Sequence, residues 1–400
     1  MSGLNPLDPL SYLGEELAGM RAAGSYFRLR ALESPCEAVS RADGREVINL
    51  ASNNYLGLAN HPRLKEAAVE AVRKFGVGSG AVRTITGTMA MHMELERKIA
   101  AFKRCEACVV FQSGFAANAG TVSALLGPED HIISDELNHA SIIDGCRLSR
   151  ARIHVFRHKD AAHAAKLLEG LKDAAGRKLL ITDGVFSMDG DIGPLPALVE
   201  AAGRHGAIMM VDDAHSSGVL GRNGRGTVDH FGLHGRVHVQ VGTLSKAVGV
   251  LGGYVCGSRD LIDYLYHRAR PFLFSTSHPP AVTAACSAAF DLLLEEPERI
   301  ERLWDNTRYF KAALSGAGFD TGVSETPITP ILVGEAQTAH QYSAALFEEG
   351  VWATGIGFPT VPKGKARIRT IVTAGHNRAQ LDRAVEVLAR VARRMGILGA

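Results

Sequence analysis

Short apolar runs alternate along this chain with stretches whose apolar residues recur every three to four positions, the pattern of strands followed by helices and of an α/β fold with a mainly parallel sheet. Buried strands are expected at Ala107–Phe111, His131–Ser134, Lys178–Thr182, Ala207–Val211 and His238–Val241. A helix is expected from His61, with Pro62 in its first turn and Gly76 at its end; Leu64, Ala67, Ala68, Ala71, Val72 and Phe75 form its apolar face. After about residue 290 the texture changes. A charged helix carries Ile300, Leu303 and Trp304, and a strand containing a proline runs through Thr329–Val333. The segment Arg367–Val372 alternates with period two, which puts Arg367 and Arg369 on one face of a strand. A last helix repeats Leu381, Ala384, Val385, Leu388 and Met395. The expected division is an N-terminal arm (1–55), a large α/β domain (56–290) and a smaller C-terminal α+β domain (291–400).

Composition narrows the function classes. Lys and Arg total 44 against 42 for Asp and Glu, a formal net charge of +2 with no long basic run, so a nucleic-acid partner is not expected. The opening MSGLNPLDPL lacks a basic segment followed by an apolar one, and no stretch approaches the roughly 20 apolar residues of a membrane span. A cytoplasmic protein without a membrane partner is expected. Six irregularly spaced cysteines do not form a disulfide framework. Cys105 and Cys108 form a CxxC with no second ligand pair, so they read as two thiols at the start of a strand, and no metal site is expected.

The chemistry gathers at strand ends, where ligands of α/β sheets bind. One apolar run ends at Asp212 with His215 just beyond. The next ends in Val241-Gly-Thr-Leu-Ser-Lys246, a lysine between small and hydroxyl residues. A strand-end aspartate often only caps a helix, and a loop lysine is ordinarily solvated. The pair together, one strand apart, matches the needs of pyridoxal phosphate (PLP): a Schiff-base lysine and an acid partner for the pyridinium nitrogen. Ser113-Gly114-Phe115 follows another strand and offers backbone amides to a phosphate at a helix N-terminus. His139 and Ser187 follow two further strands. Gly76–Ala81 satisfies GxGxxA, but it follows a helix, which removes the dinucleotide reading.

Asn138–Gly145 (NHASIIDG), Thr182–Asp191 (TDGVFSMDGD), Val211–His215 (VDDAH) and Gly242–Lys246 (GTLSK) resemble, together and in order, the α-oxoamine synthases. These are fold-type I PLP-dependent transferases, and the likeness runs from about Asn49 to the C-terminus. It implies a large domain with a mainly parallel, seven-stranded type of sheet and a smaller C-terminal α+β domain. It implies that Lys246 binds the cofactor and later moves the substrate α-proton, that Asp212 pairs with the pyridinium nitrogen, and that His139 stacks on the ring. Ser187 and His215 would bond near the ring oxygen. Ser113, Gly114, Phe115 and Thr243 would hold the phosphate, helped across a homodimer interface by Ser275 and Thr276 of Phe272–Ser277 (FLFSTS). Arg369 would clamp the substrate carboxylate with Asn53 nearby, leaving Arg367 as the structural arginine. The reaction implied is condensation of a small amino acid with an acyl-CoA. Val361–Thr370, Gly80–Arg83 with Gly87-Thr88, and Asn53–Ala59 look most like the glycine C-acetyltransferase branch, which joins glycine to acetyl-CoA. The alternatives are the branch of biotin synthesis that joins alanine to a pimeloyl thioester, and an enzyme of relaxed specificity. A non-catalytic protein on the same fold would be expected to lack Lys246.

Overall fold

The computed structural model describes residues 8–399 apart from 23, 24, 27 and 359; the first seven residues of the expected N-terminal arm lie outside it. A hairpin, β1 (Val39–Ala42) and β2 (Arg45–Asn49), opens the strand order. Seven strands follow and form one sheet: β3 (Ala107–Phe111), β4 (His131–Asp135), β5 (Arg152–Phe156), β6 (Lys178–Asp183), β7 (Ile208–Asp212), β8 (Val239–Thr243) and β9 (Gly253–Gly257). Their order across the sheet is β3-β9-β8-β7-β6-β4-β5. Neighbours pair in parallel from β8 to β5, whereas β9 runs antiparallel between β8 and β3.

The expected strands are present, shifted by a residue or so at their ends. Two strands of this sheet were not expected. β5, Arg-Ile-His-Val-Phe, is an edge strand whose side chains are mostly exposed, so it lacks the continuous apolar run of a buried strand. β9 begins and ends in glycine, which reads as turn in one dimension. Its position explains both glycines: a Cβ on Gly253 would lie 2.3 Å from the Ser113 carbonyl oxygen, and one on Gly257 would lie 2.5 Å from Leu261.

The helix Pro62–Phe75 has proline in its first turn, and it ends where Gly76 turns to φ +83°, a left-handed angle costly for a residue with a Cβ. One core, around Val109, Phe111, Ile181, Met210 and Val241, fills one face of the sheet; another, around Ile133, Leu180, Met209 and Val211, fills the opposite face. C-terminal to these, β10 (Ile328–Gly334), β11 (Val351–Trp352), β12 (Thr354–Ile356) and β13 (Ala366–Ile371) complete the strand list. β13 lies between β10 and β12 in an antiparallel sheet, while β11 adds in parallel to β2 and ties the early hairpin to this region. A third core, including Leu50, Phe310, Tyr342, Ile368 and Leu388, lies beneath. Among the described residues no helix is long and apolar enough to cross a membrane.

The parallel arrangement decides the site. Strands pointing the same way deliver their carboxyl ends to one edge, so the turns after β3, β4, β6, β7 and β8 converge.

Candidate active site

Each of those turns brings one group to the edge. After β3, Ser113 caps the helix Gly114–Leu125, its hydroxyl accepting from the Ala116 N–H. The free N–H groups of that first turn, with Gly114, Thr243 and Ser245 beside them, form a ready anion cradle. Gly114 packs against the Thr243 side chain there. After β4, His139 caps the helix Ala140–Ser149, and its backbone N–H donates to Asp183 Oδ2 at 2.7 Å. β7 ends at Asp212, whose Oδ1 accepts from the Ala214 N–H at 2.8 Å and whose Oδ2 accepts from Asn118 Nδ2 at 2.6 Å. Beyond it, His215 Nδ1 lies 2.8 Å from the hydroxyl of Tyr55, which is buried.

Ser113, Gly114, Phe115, His139, Ser187, Asp212, His215, Thr243 and Lys246 line a single cavity of about 200 Å³. A larger cavity of about 730 Å³ shares His139, Ser187, His215 and Lys246 with it, and adds Asn53, Arg369 and a wall of Leu137, Ile143, Phe186, Met188, Phe358, Val361 and Pro362. Ser275 and Thr276 line neither. Thr276 lies instead near the end of β3, where its carbonyl accepts from Gln112 Nε2 at 2.8 Å. Ser245, one of the hydroxyl residues beside Lys246, faces the smaller cavity too, as do Asp183 and Ser141, which were not singled out in the sequence. Asp183 stands within TDGVFSMDGD and Ser141 within NHASIIDG, but nothing in those strings separates them from the helix-cap and turn residues around them.

Burial sets the protonation of this site. It pulls the Lys246 ammonium down to about 8; Asp212 and Asp183 oppose that shift, and Arg369 adds to it. The lysine can therefore serve as a free amine near neutral pH, as a nucleophile or base must. Burial also holds the His215 imidazole well below its usual range, helped by Lys246, Arg369 and His139. It lifts the Asp183 carboxyl well above its own, with the neighbouring Asp212 charge adding to the effect.

The two arginines of β13 part ways. Arg367 is nearly fully buried and is used up on the Met188 carbonyl, the Lys365 carbonyl and the Asp189 carboxylate. Arg369 donates from Nε to the Ser187 carbonyl at 2.6 Å and from Nη2 to Asn53 Oδ1 at 3.2 Å, while its guanidinium remains in the wall of the larger cavity. An α/β sheet whose strand ends gather a buried low-pKa lysine, an aspartate and a capped helix N-terminus defines a class: transferases of fold type I.

Comparison with known proteins agrees. Residues 45–388 match the family "Aminotransferase class I and II", and the chain belongs to it. Within that family it is a PLP-dependent α-oxoamine synthase. It is 62% identical to the 8-amino-7-oxononanoate synthase of Symbiobacterium thermophilum over 97% of this chain and 99% of that one. It is 57% identical to the 8-amino-7-oxononanoate synthase of Thermoanaerobacter pseudethanolicus over the full length of both. Among solved structures, a variant of serine palmitoyltransferase from S. paucimobilis with a bound PLP–myriocin aldimine superposes with a TM-score of 0.92 at 32% identity, covering 99% of this chain and 100% of that one.

These relatives overturn the expectation of glycine and acetyl-CoA. Full-length identity well above one half is to 8-amino-7-oxononanoate synthases, the alternative weighed in the sequence. The physical reason is that the segments used for that choice do not bound the larger cavity by themselves: Gly80–Arg83 and Gly87-Thr88 line neither cavity, and Asn53, Val361, Pro362 and Arg369 share the wall of the larger one with residues of two other stretches, among them Leu137, Ile143, Phe186 and Met188.

Proposed function

We propose that this protein is an 8-amino-7-oxononanoate synthase, joining alanine to a pimeloyl thioester. The observation that carries this reading is the 62% identity, over nearly the whole of both chains, to a protein of that name. Carbon counting selects the amino acid. A nine-carbon product with a keto group at its seventh carbon takes seven carbons from the pimeloyl group, whose thioester carbonyl becomes the ketone. The remaining two, one bearing the amine and one a methyl, are Cα and Cβ of alanine after its carboxylate leaves as carbon dioxide. Glycine has no Cβ and cannot supply the ninth.

The residues present fit PLP. The helix N-terminus with Ser113, Gly114, Phe115, Thr243 and Ser245 suits its phosphate, Asp212 its pyridinium nitrogen, and the His139 ring one of its faces. Lys246 would hold it covalently, and Ser187 and His215 would lie near the ring oxygen. When bound, the cofactor supplies an electron sink that makes the substrate α-proton acidic.

The chain's own groups do the rest. The Arg369 fork, steadied by Asn53 and the Ser187 carbonyl, binds the amino-acid carboxylate. Lys246 Nζ takes the α-proton, and its pKa of about 8 makes it a base of matched strength. The apolar wall of the larger cavity takes the methylene chain and keeps water from the reacting carbons. The exposed Phe115 and Phe274, beside the phosphate cradle and Ser275, fit a homodimer in which Ser275 and Thr276 complete the partner's site.

Free thiol release with alanine or glycine crossed against pimeloyl-CoA or acetyl-CoA tests the reading. Preference for alanine with pimeloyl-CoA is expected. Preference for glycine with acetyl-CoA would overturn it, and sedimentation as an active monomer would remove the shared site.

A further inference from the structure

Two side chains with no role so far tie Asp212 to His139. Asn118 is wholly buried in the helix Gly114–Leu125, and Ser141 is buried in the first turn of the helix that His139 caps. Asn118 Nδ2 lies 2.6 Å from Asp212 Oδ2 and 2.9 Å from Ser141 Oγ. A carboxylate oxygen only accepts, so the amide must present its NH2 to Asp212, and its two N–H groups are then spent on Asp212 and Ser141. The Asn118 carbonyl oxygen is left buried without a partner, a cost the site accepts to keep both donors in place.

Ser141 Oγ accepts from Asn118, which leaves its own proton for His139 Nδ1 at 2.7 Å. The Ser141 backbone N–H also donates to Nδ1, at 3.2 Å. Two donors aimed at one ring nitrogen leave it no proton. The imidazole proton is therefore on Nε2, and the ring is neutral. Burial favours the same neutral form, with Lys246 adding to it against the pull of Asp212.

We infer that Asn118 and Ser141 are positioning residues, a relay that holds Asp212 and fixes His139 as the neutral Nε2–H tautomer. The inference rests on the proposed reading of Asp212 and His139 as the groups that hold PLP. Its chemical sense is charge: a neutral ring stacked on a cationic pyridinium avoids the repulsion that an imidazolium would bring. The bond from the His139 backbone N–H to Asp183 anchors the main chain of the same residue.

The deciding variant is Ser141→Ala, which breaks the relay without opening a large cavity; Asn118→Ala removes its other half, and Ser141→Thr restores the hydroxyl. Full-length protein with 15N-labelled histidine is followed by NMR, with and without PLP, and PLP affinity is measured by absorbance titration. The expected result is an unprotonated His139 Nδ1 in the unaltered protein. Ser141→Ala should mix the tautomers and raise the PLP dissociation constant about tenfold, and Ser141→Thr should recover most of both. A protonated Nδ1 in the unaltered protein overturns the relay, as does a Ser141→Ala variant with unchanged tautomer and affinity. An unaltered protein that binds no PLP would instead refute the proposed function, while the tautomer, read from the protein alone, still decides the relay.

Discussion

Replacing Lys103 by methionine removes one charge from a pair that water does not reach. Lys103 ends the helix Ala90–Lys103, and its side chain and that of Asp213 are both fully buried. Its Nζ lies 2.7 Å from Asp213 Oδ2 and 2.6 Å from the Arg225 carbonyl oxygen. Burial alone would disfavour the ammonium, but the Asp213 carboxylate beside it holds its pKa above the ordinary range. The other carboxylate oxygen accepts from the Thr227 N–H and from the hydroxyls of Ser216 and Thr227. These bonds pin the turn between Asp212 and His215. Methionine keeps most of the packed stem and leaves Asp213 charged and unpaired, which costs about 3–5 kcal/mol. That is a loss of about 10²–10⁴-fold in the ratio of folded to unfolded protein. Urea unfolding followed by circular dichroism, at fixed pH, protein and PLP concentrations, reads the change in midpoint. The double variant Lys103→Met with Asp213→Asn, which removes both charges, should be less destabilised than the sum of the two single variants. A Lys103→Met loss below about 1 kcal/mol, the range of an exposed pair, would refute the reasoning. So would strict additivity in the double variant.

Three further outcomes are expected. His158 lies between Asp135 and Asp191, at 3.1 and 3.0 Å; burial opposes its charge, but those two hydrogen-bonded carboxylates raise it to about 9. Its folded pKa thus exceeds the usual value of about 6.5, so its stabilisation is complete below that pH and is lost as pH rises through about 9. Thermal midpoints measured from neutral to alkaline pH should fall more steeply in the unaltered protein than in His158→Gln, and parallel curves would remove the effect. Arg369→Lys keeps the charge but loses the planar fork, so KM for the amino acid should rise about tenfold or more in steady-state assays, whereas an unchanged KM would take Arg369 out of substrate binding. Gly242→Ala places a Cβ 2.3 Å from the buried Tyr254 ring and should cost about 1–3 kcal/mol in urea unfolding; no loss would mean that β9 yields freely.

The sequence by itself determined the fold class, because a strand buried on both faces must be an apolar run and the helix after it must repeat every three to four residues. It also marked two residues, Asp212 and Lys246, that the fold brings to one cavity. Asp212 and Lys246 break out of apolar runs at points where a parallel sheet puts its ligands, and each of the strings around them is local. Tertiary structure decided what depends on contact between distant segments. β9 was hidden because its glycines answer to close approach by Ser113 and Leu261, not to any turn of their own. β5 was hidden because its place at the sheet edge lets polar residues into a strand. Asn118 is one residue of a helix until the fold sets Asp212, 94 positions away, against its amide. The apolar wall of the larger cavity comes from Leu137 and Ile143, from Phe186 and Met188, and from Phe358, Val361 and Pro362, so no single stretch carries its length. Motifs that bind a shared cofactor repeat from one branch to the next, whereas substrate size is a volume, and a volume exists only once the chain has folded.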